Sequence, residues 1–256
     1  MTPLKDQTIF VTGASRGAGK GITQVLLDAG ADVIMGCSRR TDALDKFAWE
    51  HRQQVVGIVE ADFAIPGKAE EAWAMAKDAN LGIDGLVLNH GIFEGASVHD
   101  AADAWRDNWA RTLQVNLQSA ADLARCALRD WMDGDDKGEA HGGTLIAIAS
   151  RAAHRGDDFE HPAYAASKAG MIAMIKTFAR AYSGKGLLAY AISPGWIDTE
   201  MAPQDPEDRA KALAEVPYGE MATPEELGRL CAFLLDGGAP SATGATFDVN
   251  GASYVR

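Results

Sequence analysis

Cysteine, basic charge and long apolar runs are all scarce in this 256-residue sequence, and each scarcity removes a class of function. The three cysteines, Cys37, Cys126 and Cys231, are widely spaced, form no C-x-x-C pair and belong to no Cys/His cluster with zinc spacing. Reduced thiols and no metal site are the expectation. Only 24 basic residues stand against 36 acidic ones, a net charge of -12. No basic field exists to attract nucleic acid or an anionic membrane surface, and Arg39-Arg40 is the only adjacent basic pair. No apolar run approaches the length of a membrane span, and Ile9-Phe10-Val11 is too short for the core of a secretion signal. The sequence therefore reads as soluble and cytoplasmic. Pro/Ser-rich linkers, internal repeats and low-complexity tracts are also missing, so residues 1–256 are expected to form one domain. The 47% hydrophobic content is ample for its core.

What is present is an alternation of short β-rich runs with helical stretches. The strand candidates are residues 8–11, 33–35, 55–59, 85–88, 144–148, 187–192 and 246–249, about seven in all. Between the first two, Ile22, Val25, Leu26 and Ala29 trace one face of a helix that stops at Gly30. Other helices are expected near 42–52, 66–79, 105–131 and 163–183, and a last one carries Leu227, Leu230, Cys231, Leu234 and Leu235. Continuous apolar strands alternating with helices predict an α/β fold whose parallel sheet is covered on both faces. Two segments read as loops: the charged, Gly-rich Asp133–Gly143, and 199–223, whose length after a strand predicts a flap.

Two motifs carry chemistry. Thr12-Gly13-Ala14-Ser15-Arg16-Gly17-Ala18-Gly19 follows the first strand and opens the first helix. Glycine there allows positive φ and close approach of a pyrophosphate to free N–H groups at a helix N-terminus. The spacing is neither G-x-G-x-x-G nor a P-loop. Tyr164-Ala-Ala-Ser-Lys168, behind a helix-starting His161-Pro162, places a phenol and an ammonium on one helical face. Moving a phenol from pKa ~10 to 7 needs ~4 kcal/mol of selective phenolate stabilisation. An ammonium about 4 Å away supplies ~4 kcal/mol only at an effective dielectric near 20. The pair works as an acid/base only in a partly dry site.

Together these motifs resemble the classical short-chain dehydrogenase/reductase family, nearly end to end. Besides Thr12–Gly19 and Tyr164/Lys168, the matches are Leu88-Asn89-His90-Gly91, Asn116, Ser150, Pro194–Thr199 and Thr243-Gly244, all in the family's order. The resemblance implies a Rossmann-type doubly wound parallel sheet and hydride transfer between a secondary alcohol and a ketone. It implies Tyr164 as general acid/base and Lys168 as the group that lowers its pKa and holds the nicotinamide ribose. Ser150 would hold the substrate oxygen, and Asn116 would bind a water that leads the proton out. Cofactor contacts are implied at Gly13, Ser15, Arg16, Gly17, Ala18 and Gly19, at Asp62 and Phe63, at Asn89 and Gly91, and at Pro194, Gly195, Ile197 and Thr199. Homotetramers or homodimers are implied, through the helices near 105–131 and 163–183 and the C-terminal strand.

An NAD-preferring site would present an acid at the end of the second strand. This chain has Gly36-Cys37-Ser38-Arg39-Arg40 instead, with no acid before Asp42. Arg39 with Arg16 suits a 2′-phosphate, so NADP(H) is favoured, with NAD(H) possible. Leu88, His90 and Ala18 depart from the family pattern; His90 is read as a packing or supporting residue. Phe93, Glu94, Arg151, His154, Glu160, His161 and Trp196 adjoin the motifs and suggest a cleft for a small polar hydroxy or keto compound. The alternatives are a 3-oxoacyl-thioester reductase, a non-catalytic NADP(H)-binding protein, or a dehydratase or epimerase, for which the chain is short.

Overall fold

Strand residues alternate between two cores because successive side chains point to opposite faces of a sheet. In a computed structural model that describes residues 4–79, 82–134 and 140–256, the seven strands are β1 Thr8–Val11, β2 Asp32–Cys37, β3 Val55–Glu60, β4 Gly85–Leu88, β5 Gly143–Ile148, β6 Leu187–Pro194 and β7 Thr246–Val249. All pair in parallel, in the order β3-β2-β1-β4-β5-β6-β7. The order reverses between β1 and β4, the kind of switch point at which sheets of this class place a ligand crevice outside the strands' carboxyl ends.

Helices α1 Gly17–Asp28, α2 Asp42–Glu50 and α9 Pro224–Leu235 pack on one face. There Ile22, Leu26, Phe47, Leu227 and Leu234 meet Ile9, Val11, Val33, Val87 and Ile192. Helices α3 Lys68–Ala79, α5 Ser119–Asp133 and α7 Pro162–Tyr182 cover the other face. There Trp73, Leu123, Trp131 and Ile175 meet Phe10, Ile34, Leu86 and Leu145. Trp131, 1% exposed, also donates its indole N–H to the Ile83 carbonyl at 2.6 Å. The remaining helices are α4 Ala102–Leu113, the four-residue α6 Ala152–Arg155 and α8 Pro206–Ala214. None of the described helices is long and apolar enough to cross a membrane, and no group of three metal-ligating side chains occurs among the described residues.

The predicted strands and the α/β doubly wound class agree with the structure. One expected helix does not: 105–131 is two helices, α4 and α5, joined by a π-helical turn over Gln114–Gln118. The inserted residue lies in the turn that carries Asn116, a place where such irregularities mark function. The expected loop at Asp133–Gly143 falls largely on residues 135–139, outside the described residues. The 199–223 segment contains α8 and is closed at its base by a parallel bridge between Ile197 and Ala222. Trp196, Ala202, Ala212, Leu213 and Met221 give it a small core of its own.

α9 begins with a complete capping box. Thr223 Oγ1 accepts from Glu226 N at 3.2 Å, and Glu226 Oε2 accepts from Thr223 N at 2.8 Å. Thr223→Ala should lower the unfolding free energy by about 1 kcal/mol, with Thr223→Ser restoring it. Chemical denaturation midpoints measure this; an unchanged midpoint in the alanine variant would show that packing against α1 alone sets the start of α9.

Candidate active site

The glycine loop is a cradle that side chains would fill. Gly13 has φ +65°, and a Cβ on Gly19 would lie 2.1 Å from the Gly13 carbonyl oxygen and 2.4 Å from Asn89 Nδ2. Arg16, the N-cap of α1, is extended and supplies no side-chain cap. The first-turn N–H groups of α1 therefore have neither a helical acceptor nor a cap. Thr199, at the start of the flap, sits across this loop, its side chain 3.7 Å from where a Gly17 Cβ would be. These features fit a dinucleotide pyrophosphate. Asn89 holds the loop from below: its amide donates to Thr12 O at 3.0 Å and Gly13 O at 3.2 Å.

At the end of β2, Arg16 and Arg39 are exposed, and neither is ion-paired among the described residues. Arg40 by contrast pairs with Asp45, and its backbone N–H donates to Glu60. A cavity open to solvent lies nearby, lined by Ser38, Glu60, Ala61, Asp62, Lys68 and Met75. Asp62 also closes a turn by accepting from Ala64 N at 3.0 Å. Phe63 turns inward instead, its ring 4.4 Å from the imidazole of His90.

Tyr164 and Lys168 lie one turn apart on α7, as their spacing predicts, at the carboxyl end of β5. The Ser150 hydroxyl lies close enough to the Tyr164 phenol to act against the rise in its pKa, and Ser150 Oγ accepts from Ala152 N at 3.1 Å. Lys168 is 4% exposed; its Nζ donates to Ile148 O at 2.9 Å and lies 5.8 Å from the Tyr164 ring centre. Burial pushes the Lys168 ammonium down to about 8. Burial likewise pushes the Tyr164 phenol up to about 12, opposed by the Ser150 hydrogen bond and reinforced by the charge of Asp157. Burial is the largest influence on both groups, and the Lys168 ammonium is held on the Ile148 carbonyl.

Asn116, fully buried in the π turn, clamps the loop after β4: Oδ1 accepts from Ile92 N at 2.8 Å and Nδ2 donates to Ile92 O at 2.9 Å. Nδ2 also donates to Ser167 Oγ at 3.2 Å. Gly91 lies between them; a Cβ there would be 3.3 Å from Asn116 Oδ1 and 3.4 Å from Lys168 Nζ. Gly195 N donates to Val249 O at 2.9 Å, which fixes the turn after Pro194.

Phe93 stacks on His161 with ring centres 3.8 Å apart and meets Tyr164 edge-on at 4.8 Å, so these two aromatic residues wall the cleft. His161 Nδ1 is 2.6 Å from Asp158 Oδ1. Two other cleft candidates face elsewhere. Glu94 pairs with Arg111 on α4, and His154 stacks on Tyr254 and bonds Ser193 near the C-terminus. Glu160 is exposed and contributes its backbone carbonyl to Ala96 N at 2.7 Å.

His90 has a supporting role, as read from the sequence, but its connections were not legible there. Thr12 Oγ1 accepts from Asn89 N at 3.0 Å and His90 N at 3.3 Å, and its one proton has two acceptors in reach, Val87 O at 3.1 Å and His90 Nδ1 at 2.7 Å. On its other side His90 Nε2 is hydrogen-bonded to Ser119 Oγ at 2.9 Å, and Ser119 donates to Val115 O at 2.8 Å. This chain of contacts ties the glycine loop to the π turn through a buried imidazole. Sequence reasoning passed over Thr12 and Ser119; the only available signal was Ser119 standing one turn after Asn116.

Comparison with known proteins agrees with this geometry. A family model described as enoyl-(acyl carrier protein) reductase matches residues 13–252. The chain belongs to the short-chain dehydrogenase/reductase family. It is an oxidoreductase of that family. A 3-oxoacyl-[acyl-carrier-protein] reductase of Vibrio cholerae is 30% identical over 98% of this chain and 99% of its own length. An acetoacetyl-CoA reductase of Synechocystis is 33% identical over 98% of each chain. The crystal structure of a Burkholderia cenocepacia short-chain dehydrogenase in complex with NADP has a TM-score of 0.88 and 26% identity, covering 98% of this chain and 99% of that one.

Burial lowers His90 from 6.5 to about 3, with the Lys168 charge adding to the effect. Between those values the unfolded chain takes up a proton that the folded chain refuses. Stability should therefore fall as pH drops from 6.5 to about 3, by up to about 1.4 kcal/mol per pH unit from this residue. Stability–pH curves for wild type and His90→Gln check it: the variant should lack that part of the slope, and parallel curves would mean the ring protonates in place.

Proposed function

We propose that this protein is an NADP(H)-dependent oxidoreductase that interconverts a secondary alcohol and a ketone on a small polar substrate. The observation that carries the reading is the Ser150 and Tyr164 hydroxyls brought together one turn from a buried Lys168, beside a glycine loop with open N–H groups. Gly13, Ser15, Arg16, Gly17, Ala18 and Gly19 would hold the pyrophosphate, with Ile197 and Thr199 at the nicotinamide and Asp62 beside the adenine. Arg16 and Arg39, both exposed and with no ion pair among the described residues, suit the 2′-phosphate, and the Burkholderia relative binds NADP. NADP(H) supplies the hydride that is exchanged with the carbinol carbon.

The chain's own part is to grip the substrate oxygen and move its proton. Ser150 and Tyr164 both point hydroxyls at that oxygen, stabilising charge that develops there. A phenol near 12 remains protonated at neutral pH and is ready to donate to an alkoxide formed on reduction. The reverse direction is harder: bringing it from 12 to 7 needs ~7 kcal/mol. A lysine at about 4 Å supplies ~4 kcal/mol at an effective dielectric near 20. Lys168 therefore has to turn from Ile148 O toward the phenol and a ribose hydroxyl, and further positive charge in the cleft has to supply the remainder. Asn116 keeps the Gly91–Ile92 backbone beside that ammonium. The 199–223 segment closes over substrate as a flap on the single catalytic domain. The protein works in the cytoplasm as a homotetramer or homodimer, through α4, α5, α7 and β7.

A second reading is a 3-oxoacyl-thioester reductase, favoured by the activities named for the Vibrio and Synechocystis relatives. A net charge of -12 disfavours an acidic acyl carrier as partner. A panel of ketones, sugars and acyl thioesters, followed by NADPH consumption, separates the two: turnover confined to acyl thioesters would overturn the polar-substrate assignment. Tyr164→Phe should lower kcat by about 10²–10⁴-fold while NADPH still binds, as expected for loss of a general acid. Retained turnover in that variant would remove the proposed mechanism. Arg39→Ala should weaken NADPH binding about tenfold and leave NADH binding little changed; equal effects would place the 2′-phosphate elsewhere.

A further inference from the structure

Two hydrogen-bond donors are buried beneath the 199–223 segment with no acceptor among the described residues. Arg151 directly follows Ser150 and is 5% exposed. Its Nη2 donates to Glu215 Oε2 at 2.8 Å, whereas Nη1 is buried and unpartnered. Trp196, just after the Pro194-Gly195 turn, also buries an unpartnered indole Nε1, and the Arg151 guanidinium lies 5.9 Å from its ring centre. Leaving such donors unmade is unfavourable, more so for a charged one, and native structures rarely tolerate two together.

The nearby charges balance, with Arg151 and Arg155 set against Glu215 and Asp157, so the preference for an anion rests on the unpaired edge of the Arg151 guanidinium. Glu215 is shared between Arg151 at 2.8 Å and Arg155 at 3.3 Å, so two guanidinium groups contact one carboxylate. Asp157 acts on Arg151 more weakly than either of them. Asp157 also acts on Tyr164, so the cluster and the phenol share one electrostatic neighbourhood. A planar, singly charged carboxylate is the acceptor that fits, since one oxygen can take the free guanidinium edge and the other the indole N–H. Glu215 caps the end of α8, so movement of the flap would uncover both donors.

We propose that Arg151 and Trp196 form a carboxylate subsite beside the Ser150–Tyr164 pair, and that the substrate is a hydroxy acid or the matching oxo acid. This rests on the oxidoreductase reading above and narrows its substrate class. In reduction, a C–H bond forms at the oxo carbon with the hydride of NADPH, and Tyr164 supplies the proton that completes the alcohol. NADPH is oxidised to NADP+, one proton is drawn from solvent, and the carboxylate is unchanged.

The test compares 2-oxobutanoate, 3-oxobutanoate and 4-oxopentanoate with their methyl esters, which differ from the acids only in charge. Binding to the full-length protein saturated with NADP+ is read by calorimetry, and turnover separately by NADPH consumption. At one of the three spacings the acid should bind at least about tenfold more tightly than its ester, as a hydrogen bond to a charged group predicts. Arg151→Lys, which keeps the charge but loses the fork, and Trp196→Phe, which loses only the N–H, should each bring that ratio toward one. Arg155→Gln, which touches the same Glu215, should keep it; if Arg151→Lys does not fold, Trp196→Phe decides. An absent acid preference at all spacings, or a preference that survives both substitutions, would overturn the subsite and leave two donors that bond only water. Acid-selective binding with no turnover of any ketone would uphold the subsite and reject the oxidoreductase reading instead.

Discussion

Desolvation of one ammonium and one phenol at the carboxyl edge of the sheet is the constraint on which the rest of this structure depends. It opposes charge on both groups, taking Lys168 down to about 8 and Tyr164 up to about 12. In water the pair would interact too weakly to matter for proton transfer. In a dry site their interaction is large, but only if geometry lets the charges meet. The protein holds the ammonium on the Ile148 carbonyl and the phenol on Ser150, so the two are ready but not yet coupled.

The surroundings of that pair are tied into the sheet on one side and form a separately packed segment on the other. On the tied side, Asn89 fixes the glycine loop and Asn116 fixes the Ile92 backbone. The Thr12–His90–Ser119–Val115 chain connects these two anchors through a buried imidazole. Where the family pattern has a small residue, this chain uses a ring to bridge β1 and the π turn. On the other side, residues 199–223 pack on a small core with Trp196, are closed by the Ile197–Ala222 bridge, and reach Arg151 and Arg155 through Glu215.

Continuous apolar runs and period-3.6 stripes made the strands and the helices legible in the sequence, because burial on both sides of a parallel sheet removes the polar alternation of a one-sided strand. The i, i+4 spacing of Tyr164 and Lys168 likewise needed only a helix to become a site. The π turn at Gln114–Gln118 was not legible, since one inserted residue barely disturbs a helical stripe. Nor were the outward turns of Glu94 and His154, which depend on Arg111 and on Ser193 and Tyr254, partners distant in sequence or set by local loop geometry. The direction of the Tyr164 shift was also hidden: spacing brings charges together, whereas burial decides which effect dominates.

The central claim is that the phenol is held high until a bound cofactor couples it to the ammonium. Phenolate absorbance isolates Tyr164 when wild type is titrated against Tyr164→Phe, with and without saturating NADP+. The account predicts a difference spectrum that emerges only near pH 12 in the free protein and shifts to lower pH by several units with NADP+. A phenol that titrates at or below its ordinary value of 10 in the free protein, or one that NADP+ leaves unmoved, would contradict it.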